Sequence, residues 1–145
     1  MCSHLHHKVM HSSKNSPRPT VAEVLARLND YPDFCDPVTD VNQLGTFGNR
    51  PLHLVSWQGN VDEIRTLVEG GAEVNVTGDM GPTPLHDASK AGQLAAVRIL
   101  LQYGAKPDTT DEFGKTPRDW ADLNRHSEIM KVLESHTDLD TGADQ

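Results

Sequence analysis

Residues 81–88 read Gly81-Pro82-Thr83-Pro84-Leu85-His86-Asp87-Ala88, or GPTPLHDA. Taken alone, the stretch offers a histidine beside an acid just after a turn, which is raw material for acid–base chemistry. Its counterparts at a fixed distance change that reading. Residues 48–55 are GNRPLHLV and residues 114–121 are GKTPRDWA, each 33 positions away.

The same step runs through the flanking sequence. Gly48, Gly81 and Gly114 are in register, as are Pro51, Pro84 and Pro117. So are Ile64, Val97 and Met130, and Leu67, Leu100 and Leu133, while Gly59 matches Gly92 and Gly71-Ala72 matches Gly104-Ala105. A fixed period that keeps glycine, proline and apolar positions in step is the mark of stacked repeats. Within one copy, Thr83 is placed to cap a helix, and Pro84 sits at the first helical position, where its missing N–H costs nothing. Leu85, Ala88 and Ser89 pack inward, and Gly92 supplies the left-handed stop. A second helix carries Leu94, Val97, Leu100 and Leu101 on one face and ends at Gly104. Residues 108–114 then turn into the next copy. Two helices this short cannot bury an apolar face alone, so neighbouring copies must bury it.

The segment TPLHDASKAGQLAAVRILLQYGA (83–105) resembles the ankyrin repeat, and the resemblance covers about 90 residues, Phe47 to His136. It implies an all-α solenoid of stacked helix-turn-helix units with short hairpin-like finger loops. It also implies a module that binds another protein through its concave face and fingers.

The copies are unequal. Arg50 stands where Thr83 and Thr116 stand, and is expected to forgo about 1 kcal/mol of capping. In the last copy Arg118 and Asp119 replace Leu85 and His86, and Arg125 replaces the stop glycine, which gives the polar outer face a terminal repeat needs. Upstream, Thr20 and Glu23 form a capping-box pattern ahead of Val21, Val24, Leu25 and Leu28 on one helical face. Val41-Asn42 lies 33 before Val74-Asn75, so this helix reads as the remnant of a degenerate repeat, although residues 31–40 break the pattern. The expected organisation is a disordered tail (1–19), an N-terminal helical cap (20–46), repeats at 47–79 and 80–112, a C-terminal capping repeat (113–136) and an acidic tail (137–145).

Charge is uneven. Residues 1–19 hold three basic residues and no acid, whereas the remainder sets 10 basic against 21 acidic residues, a net −11. Nucleic acid is therefore not an expected partner, because phosphate binding needs a basic surface. A basic protein partner is accommodated more easily, and long-range attraction would speed its encounter. No apolar run approaches the length of a membrane span, and Cys2 and Cys35 make neither a disulfide framework nor zinc spacing. A cytoplasmic monomer without cofactor or metal is the expectation.

Two histidine groups are candidates for chemistry. His86 has Asp87 beside it, but successive helical residues diverge by about 100°, and His53 occupies the same repeat position. The resemblance implies an imidazole that bonds the loops of its own and the next repeat. His4, His6, His7 and His11 form the second group. Were Met1 removed, the amine of Cys2, two amide nitrogens and His4 could wrap Cu(II) or Ni(II) in a square plane. A metal-binding or catalytic protein using these histidines is the alternative to a binding module.

The binding candidates come from positions where the copies differ. Phe47, Met80 and Phe113 fall 33 apart, each one residue before a loop glycine. Beside them lie Asn49, Asp79, Pro82, Glu112 and Lys115. Trp57 aligns with Lys90 and Leu123, late in the first helix of each copy, a position that faces the concave groove in the family the chain resembles. Gln58, Asn124 and Tyr103 complete the candidate surface. Trp120 reads as packing. A stoichiometric inhibitor or immunity-type protein, one that blocks a basic toxin or nuclease, is the form such a compact module is expected to take.

Overall fold

The computed structural model describes residues 18–142 except 33, 35, 46 and 47, with side chains through residue 136. Among the described residues seven helices follow one another: α1 (Val21–Leu28), α2 (Pro51–Gln58), α3 (Val61–Glu69), α4 (Pro84–Ala91), α5 (Leu94–Gln102), α6 (Pro117–Leu123) and α7 (Ser127–Gly142). There is no strand among the described residues.

The helices form two layers. In the inner layer α4 lies between α2 and α6, and in the outer layer α1 packs on α3, α3 on α5 and α5 on α7. Within each copy the inner helix packs on its outer partner, α2 on α3, α4 on α5 and α6 on α7. One apolar core runs the length of the stack, through Val24, Leu28, Leu52, Val55, Ile64, Leu67, Leu85, Val97, Leu100 and Leu133. Burying each such side chain is worth roughly 1.5–3 kcal/mol, and no copy could achieve it alone.

Local sequence explains the helix ends. Thr20 Oγ1 accepts from Glu23 N–H while Glu23 Oε1 accepts from Thr20 N–H (3.2 and 3.1 Å). Proline opens α2, α4 and α6. Gly59 and Gly92 close α2 and α4 with φ of 78°. At the matching position Arg125 adopts φ 62°, a left-handed conformation forced on a side chain where the other copies have glycine, at a cost of about 1 kcal/mol.

The sequence left residues 31–40 without a structure, and the fold supplies the reason. Asn75 follows the end of α3 by six residues, and Asp108 follows α5 by six, but Asn42 follows α1 by 14. The longer connection buries Phe34 and Val38 in the core, and Asn29 Oδ1 accepts from Val38 N–H at 2.7 Å. α1 is further held by Arg27, whose guanidinium meets both carboxylate oxygens of buried Glu63 and also reaches Gln58 Oε1 at 2.9 Å.

Two of the expected boundaries differ in detail. Arg18 and Pro19, assigned to the tail, pack on α3: Arg18 Nη2 donates to Glu69 at 2.9 Å, and Pro19 O accepts from Thr66 Oγ1 at 2.8 Å. Helix α7 continues past residue 136 to Gly142, because no proline or glycine intervenes to stop it. Residues 1–17, including His4, His6, His7 and His11, and residues 143–145 lie outside the described residues.

Candidate partner-binding face

The stack is built on four kinds of contact repeated at the 33-residue step, and these decide which side chains stay free. The first uses the histidines. His86 Nδ1 accepts from Thr83 N–H at 3.0 Å, and its Nε2 lies 2.9 Å from Lys115 O. His53 does the same with Arg50 N–H (3.0 Å) and Pro82 O (3.0 Å). A carbonyl only accepts and a backbone N–H only donates, so both rings are neutral with the proton on Nε2. Each histidine thus completes its own helix start and clamps the loop of the next copy. Burial, partly offset by the bond to Pro82 O, pushes His53 down to about 4. His86 is lowered chiefly by burial as well. Both rings are shut off from solvent and both nitrogens of each are engaged, which leaves His86 no free atom for substrate or metal.

Among the described residues no further copy follows α7 to be clamped. In the last copy Asp119 replaces only the histidine's local bonds. Its Oδ2 accepts from Thr116 N–H at 2.9 Å, and its own N–H donates to Thr116 Oγ1 at 3.2 Å. In the first copy Arg50 gives no side-chain cap and instead reaches Asn42 O at 2.7 Å.

The second contact uses asparagines. Asn42 bridges Gly71 O and Glu73 N–H (3.1 and 2.9 Å), and Asn75 bridges Gly104 O and Lys106 N–H (3.2 and 2.9 Å). The third covers the ends of inner helices: Gln93 donates to Trp57 O at 2.9 Å, and His126 Nε2 to Lys90 O at 3.2 Å, joined there by Asn124 Nδ2 at 3.3 Å.

The fourth contact shapes the fingers. Each finger closes on itself, Gly45 N–H to Asn49 O, Gly78 N–H to Pro82 O and Asp111 N–H to Lys115 O (2.7, 2.8 and 3.0 Å). Adjacent fingers are joined by Asp79 N–H to Gly48 O and Glu112 N–H to Met80 O (3.2 and 2.9 Å). Met80 sits at φ 70°, a conformation uncommon for any residue but glycine.

The candidate residues divide accordingly. Trp57, Met80, Phe113 and Leu123 project from the inner helix ends and fingers and are 50–61 % exposed. Asp79 and Glu112 are exposed beside them, while Asn49, Pro82 and Lys115 are half-buried, with the carbonyls of Pro82 and Lys115 taken by the histidines. Gln58 is tied to Arg27, and Asn124 to Lys90 O. Phe47 lies outside the described residues. Tyr103 is a correction: it caps α5 in the outer layer, where its hydroxyl donates to Glu69 Oε2 at 2.9 Å. The 33-residue step fixed its height along the stack but not the layer, because it follows the second helix rather than the first.

Trp120 carries more of this face than its packing role implied. Its indole N–H donates to Asp111 Oδ2 at 2.7 Å, Phe113 meets it edge-on with centroids 6.5 Å apart, and Lys90 Nζ lies 4.3 Å from the ring centroid. Burial raises the Asp111 carboxyl, but bonds from Trp120 and from the Lys115 and Phe113 N–H groups outweigh it and hold it below the usual carboxylate range. Asp111 and Leu44, the latter 57 % exposed just before the first finger, were both missed. Asp111 stands where the other copies have Gly45 and Gly78, and that disagreement was its signal.

No helix of the described residues is long and apolar enough to cross a membrane. A search of curated proteins returned no match. The family described as ankyrin repeats (3 copies) matches residues 9–111 and 52–143. Its members are generally protein–protein interaction modules and typically non-catalytic. That match spans the same 33-residue units whose histidine clamps, asparagine bridges and hydrogen-bonded fingers build the stack, and the chain belongs to the ankyrin repeat family.

Proposed function

We propose that this chain is a non-enzymatic module that captures one protein partner on its finger tips and inner helix ends. It would act as a stoichiometric inhibitor of the immunity type, on a basic target. One observation carries the reading. The five large apolar side chains that are exposed among the described residues, Leu44, Trp57, Met80, Phe113 and Leu123, lie on or beside fingers and inner helices, and none lies on an outer helix. Apolar groups gathered on one side of a small acidic domain mark a contact surface, and aromatic anchors there carry most binding energy. The −11 charge of residues 20–145 supports a basic target by speeding encounter.

The test is capture of protein from the source cell by the full chain and by a Trp57→Ala, Phe113→Ala double variant. Loss of a stoichiometric partner with helix content retained supports the reading. Unchanged capture moves the site to the outer helices or the N-terminal residues.

A further inference from the structure

The spacing and charge of the finger tips point to a particular kind of partner element. Each finger contributes two passes bonded to each other, and adjacent fingers are bonded side by side. Neighbouring extended passes lie about 4.8 Å apart, so successive fingers are spaced by roughly 10 Å. Packed helices in the layer behind them have a similar separation, roughly 8–10 Å.

Every described tip repeats one pattern. Asp79-Met80 and Glu112-Phe113 each set an exposed acid before an exposed apolar side chain, and Asp122-Leu123 repeats the pair at the end of α6. Among the described residues, the carboxylates of Asp79, Glu112 and Asp122 make no side-chain hydrogen bond or salt bridge. Asp62, Glu73 and Glu128 on the outer side are likewise unpaired among the described residues, but each lacks an exposed large apolar side chain beside it, whereas Glu63, Glu69 and Glu134 meet Arg27, Arg18 and Arg118. The basic groups of this layer are mostly engaged internally, with Lys90 over Trp120, Arg50 on Asn42 O and Arg118 on Glu134. Lys115 is the one finger cation without a side-chain partner among the described residues. Met80 is also held at positive φ, and such outliers concentrate at binding and catalytic sites.

An extended peptide presents same-face side chains about 6.6 or 13 Å apart, and neither matches a 10 Å step. An α-helix returns to the same face after seven residues and about 10.5 Å. Resting on the reading that this face is the binding face, we propose that its occupant is an amphipathic α-helix of the partner. The helix carries bulky apolar residues at i and i+7, which meet Met80 and Phe113. A lysine or arginine within one turn of each apolar residue meets Asp79 and Glu112.

The test uses a displayed library of random residues on an alanine-based helical peptide, selected against the full chain. The expected result is enrichment of Leu, Phe or Trp seven residues apart, with Lys or Arg three or four residues from each. Binding of the enriched peptides should weaken about tenfold on Asp79→Asn with Glu112→Gln at low salt. It should be lost on Met80→Gly with Phe113→Ala. Unfolding midpoints confirm that each variant folds. Peptides that need Met80 and Phe113 but show neither the spacing nor the basic preference overturn the helix proposal and leave the face standing. Peptides indifferent to all four substitutions, or a library without binders, overturn both.

Discussion

The outer and inner layers of the stack treat apolar surface in opposite ways, and the acids beside that surface differ with it. On the outer side Glu63, Glu69 and Glu134 each meet an arginine, and no large apolar side chain is exposed among the described residues. On the inner side Asp79, Glu112 and Asp122 stand without a salt-bridged partner among the described residues, beside Met80, Phe113 and Leu123. Both layers come from the same repeat, so the difference is one of position within the copy. Positions that glue copies together recur, as in His53 and His86 or Asn42 and Asn75. Side chains at the tips can differ between copies because adjacent fingers are joined there through backbone groups.

That contrast breaks first at the clamps. His86→Ala removes bonds to Thr83 and Lys115 and orphans buried backbone groups, so urea unfolding should show a loss of about 3 kcal/mol. Asp119→Ala, which loses only a local cap, should cost about 1 kcal/mol. Equal losses would mean the histidine bridge contributes little.

Acid sharpens the same point. Folded His53 resists protonation down to about 4, whereas the unfolded chain takes up that proton near 6.5. Stability is therefore full above pH 6.5 and falls as pH drops from about 6.5 to 4, by about 3 kcal/mol for this residue. His86, shifted the same way, adds to the fall. An unchanged pH slope in a His53→Gln variant would break the assignment.

A third prediction tests the outer layer. Arg27→Met leaves buried Glu63 without its partner, and because Arg27 is partly solvated the loss should be about 2 kcal/mol. Hydrogen exchange should place that loss in α1. Next, Arg125→Gly relieves a left-handed side chain at the stop position and should raise stability by about 1 kcal/mol in thermal unfolding. Smallest of all is the face itself: Trp57→Ala should change the unfolding free energy by no more than about 0.5 kcal/mol. A large loss there would make Trp57 a core residue and weaken the case for a docking surface.

The stack was legible where its physics is local. Thr83, Pro84 and Gly92 declare a helix start and stop through backbone geometry, and repetition at 33 residues turns one such unit into a fold. The exposed apolar side chains beside the fingers were legible only in part. Trp57, Met80, Phe113 and Leu123 stood out because the copies disagree there. Phe34 and Val38 could not be found, because the connection after α1 is eight residues longer than its counterparts and leaves the period. Asp111, Trp120 and Lys90 come from two different copies, and nothing in their separation along the chain announces that they meet.

The sequence by itself thus determined the helices, their stops and their stacking, since capping, left-handed glycine and apolar periodicity act within a few residues. Which layer a side chain enters, which charges neutralise one another and which remain open were decided only by the tertiary structure. Tyr103 entered the outer layer and Trp120 joined the fingers because packing between copies, and not spacing along the chain, sets those distances.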